Sequence, residues 1–491
     1  ATKLGGRSGS ADSAEDALAY LDAVLGAPTP SSSAERRAAF VQTAEAVASW
    51  MEEHRVGLAP VKGRPDFHAD APGARRGGRV VAAQAFDRHL LGPLAELLRE
   101  TDYDLEIAPR SVRGVVAAAS AMARRVLNPT KDVVTGGAAL AGRLLLRAGT
   151  SGVKLWTSAA LEELVCSDGR VVGVRVRRDD QQIELRASEG VILACGGFEG
   201  NDEWRREYLP LPTDAAWTSG LASNTGAGIR AAAALGAPLA EMDRAWWTIV
   251  ARFGERTYRV TSERSLPHGI VVDRAGDRFF DEAGVVPEAA RALYERNRRV
   301  RAIPSFLIVD NRHRQRYRMG PWLPGSAPAP DTDAIVRAQS LAELASELRI
   351  DQAGLLGTVV RFNGLAAKGR DGDFGRGDTP ADRANGDPLN RKNPCLGTLE
   401  RSPYWAVPVY PGDAGTKGGV LVDADAHVLG ADSAPIPGLF AVAGTAASLF
   451  KDTAPGAGAA LASALVDAHR AADRLIADAV AASPAEGTEP G

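Results

Sequence analysis

Three consecutive stretches near the carboxyl end decide the fold: GTKGGVLVDADAHVL at 415–429, PIPGLFAVAGTAASLF at 435–450 and PGAGAALASALVDAHRAADRL at 455–475. Leu439 to Gly444 is a short apolar run closed by glycine, which predicts a buried strand that ends in a turn. Pro455 suits the first turn of a helix, and apolar residues then recur at helical spacing. Glycines leave the backbone N–H groups at the start of this helix uncovered. Such a helix N-terminus attracts anionic or electron-rich groups of a ligand.

The order of these motifs resembles the C-terminal flavin-binding segment of the 3-ketosteroid dehydrogenases, in the fumarate reductase/succinate dehydrogenase flavoprotein superfamily. Four upstream stretches match that family in the same order: PDFHADAPGARRGGR at 65–79, VILACGGFEGN at 191–201, SNTGAGIRAAAALGA at 223–237 and LPHGIVVDRAGDRFFDEA at 266–283. The resemblance implies an α/β fold, α+β overall, in which a Rossmann-like FAD-binding domain carries an inserted α+β substrate-binding domain. It also implies an FAD-dependent oxidoreductase that acts on the CH–CH group of a steroid-like or polycyclic hydrophobic ketone.

The first nine residues, ATKLGGRSG, resemble the stretch that follows the opening strand, GxGxxG turn and second strand of this family. That opening unit normally holds the adenosine diphosphate half of FAD. We therefore expect the FAD domain to be N-terminally incomplete, through a natural deletion, processing or fragmentation. We also expect FAD to bind little better than FMN.

Changes in sequence texture predict the domain organisation. Residues 11–56 show helical spacing, as do 86–101, whereas 155–193 alternate between apolar and polar residues and predict a hairpin that leads into a buried strand. A different texture, with short strand-like pieces and a Gly/Asp/Arg-rich stretch, runs from about 247 to 416. The expected division is a discontinuous FAD-binding domain at 1–246 and 417–491, a substrate-binding domain at 247–416, and a disordered tail at 481–491.

Composition excludes some classes of function without selecting one. The chain has 491 residues, 45% of them hydrophobic, and a formal net charge of −3, which does not favour a polyanion-binding surface. We therefore expect no nucleic-acid partner, and no apolar run has the length of a transmembrane helix. The three cysteines lack metal-ligand spacing and suit a reduced compartment, so the sequence predicts a cytoplasmic protein without a metal site.

The resemblance assigns cofactor contacts mainly to residues of glycine turns. Thr445 stands where the family usually has Glu, Asp or Asn, and its hydroxyl can bond a ribityl hydroxyl less strongly than a carboxylate would. The expected FAD contacts are Gly5, Gly6, Gly136, Gly137, Ala194, Gly196, Gly197, Gly444, Thr445, Gly456 and Gly458. These residues mainly address the isoalloxazine and ribityl end of the cofactor.

Catalysis in the ketosteroid 1-dehydrogenases depends on three tyrosines and one backbone N–H group. The resemblance places the tyrosines at Phe67, Val286 and Ala454, none of which carries a hydroxyl. Only the backbone donor, Gly458, remains at the ketone. Losing one oxyanion donor costs about a hundred- to thousandfold in rate, and losing an acid–base group about a hundred- to ten-thousandfold. We therefore expect no 1,2-dehydrogenation of a 3-ketosteroid at a useful rate by the standard mechanism.

Substitute catalytic groups are Tyr258, Tyr410 and His268. A tyrosine in such positions more often serves packing, and a lone histidine is more often a structural hydrogen-bond partner. Two alternatives stay open: a non-catalytic or fragmentary flavoprotein relative, and a fumarate-reductase-like flavin reductase with Arg264, His268 and Arg278 as a carboxylate clamp. Residues 448–458 weaken the second alternative because they contain no histidine or arginine. If the protein is an oxidoreductase, an electron acceptor is expected as its partner.

Overall fold

The structure is a computed structural model that describes residues 3–6, 12–99, 132–326 and 334–482. Most of the predicted disordered tail, 483–491, lies outside the described residues. Ala481 and Ala482, the first two residues of that expected tail, instead belong to the last helix. Within the described ranges, none of the helices combines the length and the apolar character needed to cross a bilayer.

The described helices follow the predicted helical patterns closely at the start of the chain. Ser13 Oγ accepts a hydrogen bond from Asp16 N–H, and Ser33 Oγ accepts one from Arg36 N–H, so each serine caps the helix after it. The helices are α1 (Lys3–Gly6), α2 (Ala14–Leu25), α3 (Ala34–Glu53), α4 (Gly136–Thr150), α5 (Asp202–Tyr208), α6 (Ala227–Ala233), α7 (Thr261–Ser265), α8 (Val286–Asn297), α9 (Asn311–Arg316), α10 (Leu341–Leu348), α11 (Gln352–Lys368), α12 (Pro380–Asn385) and α13 (Ala459–Ala482).

Two helix predictions need correction. The last helix begins at Ala459 and not at Pro455, because Gly458 adopts a φ of +84°, which is outside the helical region. The predicted helix at 86–101 is a short strand followed by a 3-10 segment, Arg88–Leu97, that is interrupted at Gly92. Gly92 has a φ of +54° and precedes a proline without an N–H group, so a regular helix cannot continue.

The strands form small sheets and one large antiparallel sheet. They are β1 (Leu58–Pro60), β2 (Val81–Ala83), β3 (Phe86–Asp87), β4 (Val133–Val134), β5 (Ala159–Ser167), β6 (Arg170–Arg178), β7 (Gln181–Arg186), β8 (Val191–Leu193), β9 (Leu239–Ala240), β10 (Ala245–Phe253), β11 (Arg256–Arg259), β12 (Gly269–Val272), β13 (Ser305–Val309), β14 (Val336–Ala338), β15 (Tyr404–Thr416), β16 (Gly419–Val420), β17 (His427–Leu429) and β18 (Pro435–Ala441). The large sheet has the order β11-β10-β15-β13-β12, with β14 paired to β15.

Strands that precede the large sheet in the sequence pair with strands that follow it. β18 runs parallel to β8, with Leu439 opposite Val191, and β16 pairs with β9. The predicted hairpin is present as β6 and β7 in an antiparallel sheet with β5. β15 ends at Thr416, and β16, which lies outside the large sheet, begins at Gly419. The division into two domains with the stated boundaries stays a prediction.

Candidate functional site

A cavity of about 390 Å³ lies where α2, α3 and α13 meet the β1–β2 pair and the start of α4. Four predicted cofactor residues line it, Gly136, Gly137, Gly456 and Gly458, and we call it the glycine-lined cavity. Its volume falls within the range of about 300–1,000 Å³ that is usual for small-molecule sites. Larger apolar side chains form most of its wall, among them Leu21, Phe40, Val41, Val47, Met51, Leu58, Leu140, Leu461 and Leu465.

The glycines of this cavity leave open space in front of their backbone. A Cβ at Gly136, Gly137 or Gly458 would meet no heavy atom from elsewhere in the described chain within 4 Å. Because α4 begins at Gly136 and α13 at Ala459, two helix N-termini bring their positive ends to the same cavity. Apolar walls together with exposed backbone and helix N-termini fit a flat, electron-rich ring. The residues present therefore fit the isoalloxazine end of a flavin.

A small polar group stands in the cavity wall at Tyr20, Asp66 and Arg79. Tyr20 Oη donates to the Pro455 carbonyl at 2.6 Å, and Arg79 Nη1 donates to Asp66 Oδ2 at 2.7 Å. Burial raises the pKa of Tyr20 above its usual range, so its hydroxyl stays protonated. Sequence reasoning missed Tyr20, because it lies within the apolar periodicity of α2 and no motif singles it out.

Gly196, Gly197 and Gly444, which we call the closed glycine turns, have a different environment. A Cβ at Gly444 would lie 2.7 Å from Gly197 N, and one at Gly197 would lie 2.1 Å from Thr416 Oγ1. Thr445 is fully buried, and its hydroxyl donates to the Gly196 carbonyl at 3.1 Å, so it already has a partner within the protein. Close approach of two chain segments accounts for these glycines.

The remaining predicted cofactor residues lie outside the wall of the glycine-lined cavity. Gly5 and Gly6 belong to α1, which contacts α3 through a 2.7 Å hydrogen bond from Lys3 N–H to Glu45 Oε2. Ala194 follows β8 and is exposed. Contacts from these residues to a flavin stay a prediction.

The predicted catalytic side chains do not line the cavity either, within the described part of the chain. Tyr410 stacks on Trp217 with the ring centroids 4.9 Å apart, and Tyr258 packs against Phe253 at 5.4 Å. His268 Nδ1 lies 2.9 Å from the Thr398 carbonyl, and burial lowers the pKa of His268. Gly458 is therefore the one predicted catalytic residue that the structure places at the cavity.

The arginines of the fumarate-reductase-like alternative bind protein acceptors. Arg264 is fully buried and donates to the carbonyls of Glu282 and Gly284, and burial lowers its pKa to about 10. Arg278 pairs with the carboxylates of Glu282 and Asp371 at 2.6 and 2.8 Å. Because the guanidinium groups of Arg264 and Arg278 already bind acceptors within the protein, carbonyls and carboxylates respectively, they give no support to a clamp for a substrate carboxylate.

The three positions without the expected tyrosine hydroxyls come together in the structure. Phe67 N–H donates to the Pro455 carbonyl at 3.0 Å, next to Ala454. His68, which follows Phe67, contacts Thr453 and also Glu288, two residues after Val286. Sequence reasoning missed His68 and Thr453, although both are polar neighbours of the positions that it selected.

Comparison with known proteins agrees with this architecture. The FAD binding domain family matches residues 4–461. The 3-oxosteroid 1-dehydrogenase of Mycobacterium tuberculosis is 34% identical, over 95% of this chain and 88% of the relative. That of Mycolicibacterium smegmatis is 33% identical, over 97% of this chain and 88% of the relative. The crystal structure of a 3-ketosteroid delta1-dehydrogenase from Sterolibacterium denitrificans, in complex with 1,4-androstadiene-3,17-dione, superposes with a TM-score of 0.90 and 33% identity, covering 96% of this chain and 89% of that one.

The fold, the glycine-lined cavity and these matches define a flavoprotein with an FAD-binding domain. Within that class, the chain belongs to the family of the 3-oxosteroid 1-dehydrogenases. The predicted fold class is confirmed, and so are FAD as the cofactor and FAD-dependent oxidation of CH–CH groups as the type of activity.

Proposed function

We propose that this protein removes hydrogen from two adjacent carbons of a hydrophobic, steroid-like or polycyclic ketone, next to the carbonyl. The glycine-lined cavity carries the proposal, because its open glycines and apolar wall suit a flavin ring. The relatives' activity on 3-oxosteroids, and the steroid bound in the similar crystal structure, support the substrate class.

The reaction sets separate tasks for the protein. When bound, oxidised FAD takes up the hydride that leaves the carbon beta to the ketone. The Gly458 N–H group would donate a hydrogen bond to the ketone oxygen, where negative charge develops as the alpha proton leaves. Since positions 67, 286 and 454 carry no hydroxyl, we expect slow turnover on a 3-ketosteroid compared with an enzyme that has the three tyrosines.

We assign the ring end of FAD to Gly136, Gly137, Gly456 and Gly458. A separate electron acceptor is expected as a further partner of the enzyme. We further propose that the enzyme works in the cytoplasm, since its three cysteines are all free thiols.

An anaerobic mixture of the FAD-loaded protein with 4-androstene-3,17-dione tests the proposal. We expect the visible absorbance of oxidised flavin to bleach slowly while a 1,4-diene forms, with a matched incubation without steroid as the control. Bound flavin that stays oxidised with this steroid and with other polycyclic ketones would overturn the proposal and favour a non-catalytic relative.

A further inference from the structure

Three polar side chains from distant parts of the sequence form a row. His68 Nε2 lies 2.9 Å from Thr453 Oγ1, and His68 Nδ1 lies 3.9 Å from Glu288 Oε1. The row joins a hydroxyl, an imidazole and a carboxylate in that order. In hydrolases, the same order of groups lets the imidazole take a proton from the hydroxyl while the carboxylate orients the ring and balances its charge.

The row lies beside the glycine-lined cavity. His68 N–H donates to Tyr20 Oη at 3.2 Å, and Thr453 is two residues before Pro455. Tyr20 and Pro455 both line the cavity. Glu288 lies in the first turn of α8, within the predicted substrate-binding region. The row therefore spans the junction between the flavin-binding part and the substrate-binding part, where substrate pockets commonly form.

The backbone around Thr453 is held firmly, whereas the imidazole stays accessible. Lys417 Nζ donates to the carbonyls of Thr453 and Lys451 at 2.6 and 2.7 Å, and only 1% of Lys417 is exposed. The His68 side chain is 24% exposed. The surrounding structure thus fixes the backbone of Thr453, and the imidazole beside its hydroxyl is partly open to solvent.

We propose that Thr453, His68 and Glu288 remove the proton from the carbon alpha to the substrate ketone. This inference rests on the proposed function and names the groups that act in place of tyrosines. The alpha C–H bond breaks as its proton passes to Thr453 Oγ1, while the proton of that hydroxyl passes to His68 Nε2. The electron pair of the broken bond stays on the substrate as an enolate. Glu288 faces the resulting imidazolium, and the Gly458 N–H group faces the enolate oxygen.

In this assignment Thr453 touches the substrate, His68 is the proton acceptor, and Glu288 is a positioning residue. His68 needs the tautomer with the proton on Nδ1, which the neighbouring carboxylate favours. The step conserves protons and charge within the enzyme–substrate complex and uses no oxidant. It is therefore separable in the laboratory from the later hydride transfer.

Deuterium uptake at the carbon alpha to the ring ketone measures this step alone. The protein is loaded with FAD and reduced anaerobically with dithionite, so the cofactor is retained but accepts no hydride, and 4-androstene-3,17-dione is added in D₂O. Mass spectrometry should show protein-dependent exchange that falls about a hundredfold in His68→Gln and Thr453→Val. Thr453→Ser, which keeps the hydroxyl, should restore most of it, and Glu288→Gln should reduce it to a smaller extent.

Control measurements separate the row from folding and from the proposed function. His469→Gln, on the α13 surface, should exchange like the wild type, and each variant should keep the wild-type thermal midpoint. Exchange that is unchanged in His68→Gln and Thr453→Val, together with normal bleaching of oxidised flavin, would overturn the row and leave the proposed function standing. Wild-type protein that neither exchanges nor bleaches would overturn both.

Discussion

The glycine-lined cavity and the closed glycine turns contain the same residue type for different reasons. At Gly444 a Cβ would lie 2.7 Å from a backbone nitrogen, whereas at Gly137 it would meet nothing within 4 Å. Both sets are among the residues that are predicted from the sequence to contact FAD. The comparison shows that a glycine motif can serve chain packing or ligand binding, and that the space in front of each Cα distinguishes the two.

A methyl group added to one of the closed glycine turns gives the strongest test of the difference between the two sets of glycines. We expect Gly444→Ala to lower the free energy of unfolding by about 1–3 kcal/mol, because Gly197 N and Gly196 C are backbone atoms that cannot move aside. Urea unfolding of the flavin-free protein measures the change. A variant as stable as the wild type would show that the two chain segments can separate, and would make Gly444 a candidate ligand contact again.

The same methyl group at Gly137 should act on the ligand and not on the fold. We expect the free energy of unfolding of Gly137→Ala to be unchanged or slightly higher, since alanine is the better helix former, and flavin affinity to fall about tenfold. Fluorescence titration with FAD measures the affinity. Gly357→Ala in α11, also with no atom within 4 Å of its Cβ, is the matched control and should bind FAD like the wild type. Equal affinity in both variants would contradict the assignment of Gly137.

Lys417 lies between the closed glycine turns and the glycine-lined cavity. It follows Thr416, whose hydroxyl lies in front of Gly197, and it binds the carbonyls of the segment that leads to Gly456. Burial lowers its pKa from 10.5 to about 7, against the opposing charges of Asp452 and Glu241. Between about pH 7 and 10 the unfolded chain therefore binds more protons than the folded one, and this lysine makes stability rise with pH.

We expect that rise to be absent in Lys417→Met. Urea unfolding from pH 7 to 10 measures the slope, and Lys62→Met, at an exposed position, should keep the wild-type slope. Identical slopes in the wild type and Lys417→Met would show that the buried ammonium does not titrate in this range.

The smallest effect concerns the choice of cofactor. The proposed assignment places the ring end, which FAD and FMN share, at the glycine-lined cavity, so we expect their dissociation constants to agree within about tenfold, or about 1.4 kcal/mol. Parallel titrations with the two cofactors measure the difference. Binding of FAD more than a hundredfold tighter would place most of the affinity at the adenosine end, on residues beyond those of the glycine-lined cavity.

Local sequence patterns predicted the fold class and most of the secondary structure, while the cofactor contacts stay a prediction. The period-2 alternation at 155–193 and the apolar run before Gly444 specified strands, because each pattern records one buried face. The error at 86–101 arose because apolar periodicity cannot reveal a positive φ at Gly92. The boundaries of the helices therefore depend on the backbone conformation of single residues, which the spacing of apolar residues does not encode.

Local sequence patterns do not reveal contacts between residues that are distant in sequence. The PGAGA motif pointed to Gly456, yet the Gly197 motif gave no sign of Thr416, whose hydroxyl fills the space in front of it. Tyr410 is a polar residue at a strand position, and only tertiary structure shows that its ring stacks on Trp217. The pairing of His68 with Thr453, 385 residues apart, is equally invisible to local pattern.

The contact between Tyr20 and the Pro455 carbonyl has a consequence for biosynthesis. These residues are 435 positions apart in the sequence, and both line the same cavity. At about 5–20 residues per second, roughly 20–90 s pass on the ribosome between the two. During that interval Phe40, Val41 and Met51 have no carboxyl-terminal wall to cover them, so the nascent chain offers an apolar surface to chaperones. In the proposed assignment of the flavin ring to this cavity, flavin binding waits until the ribosome has made the residues of α13.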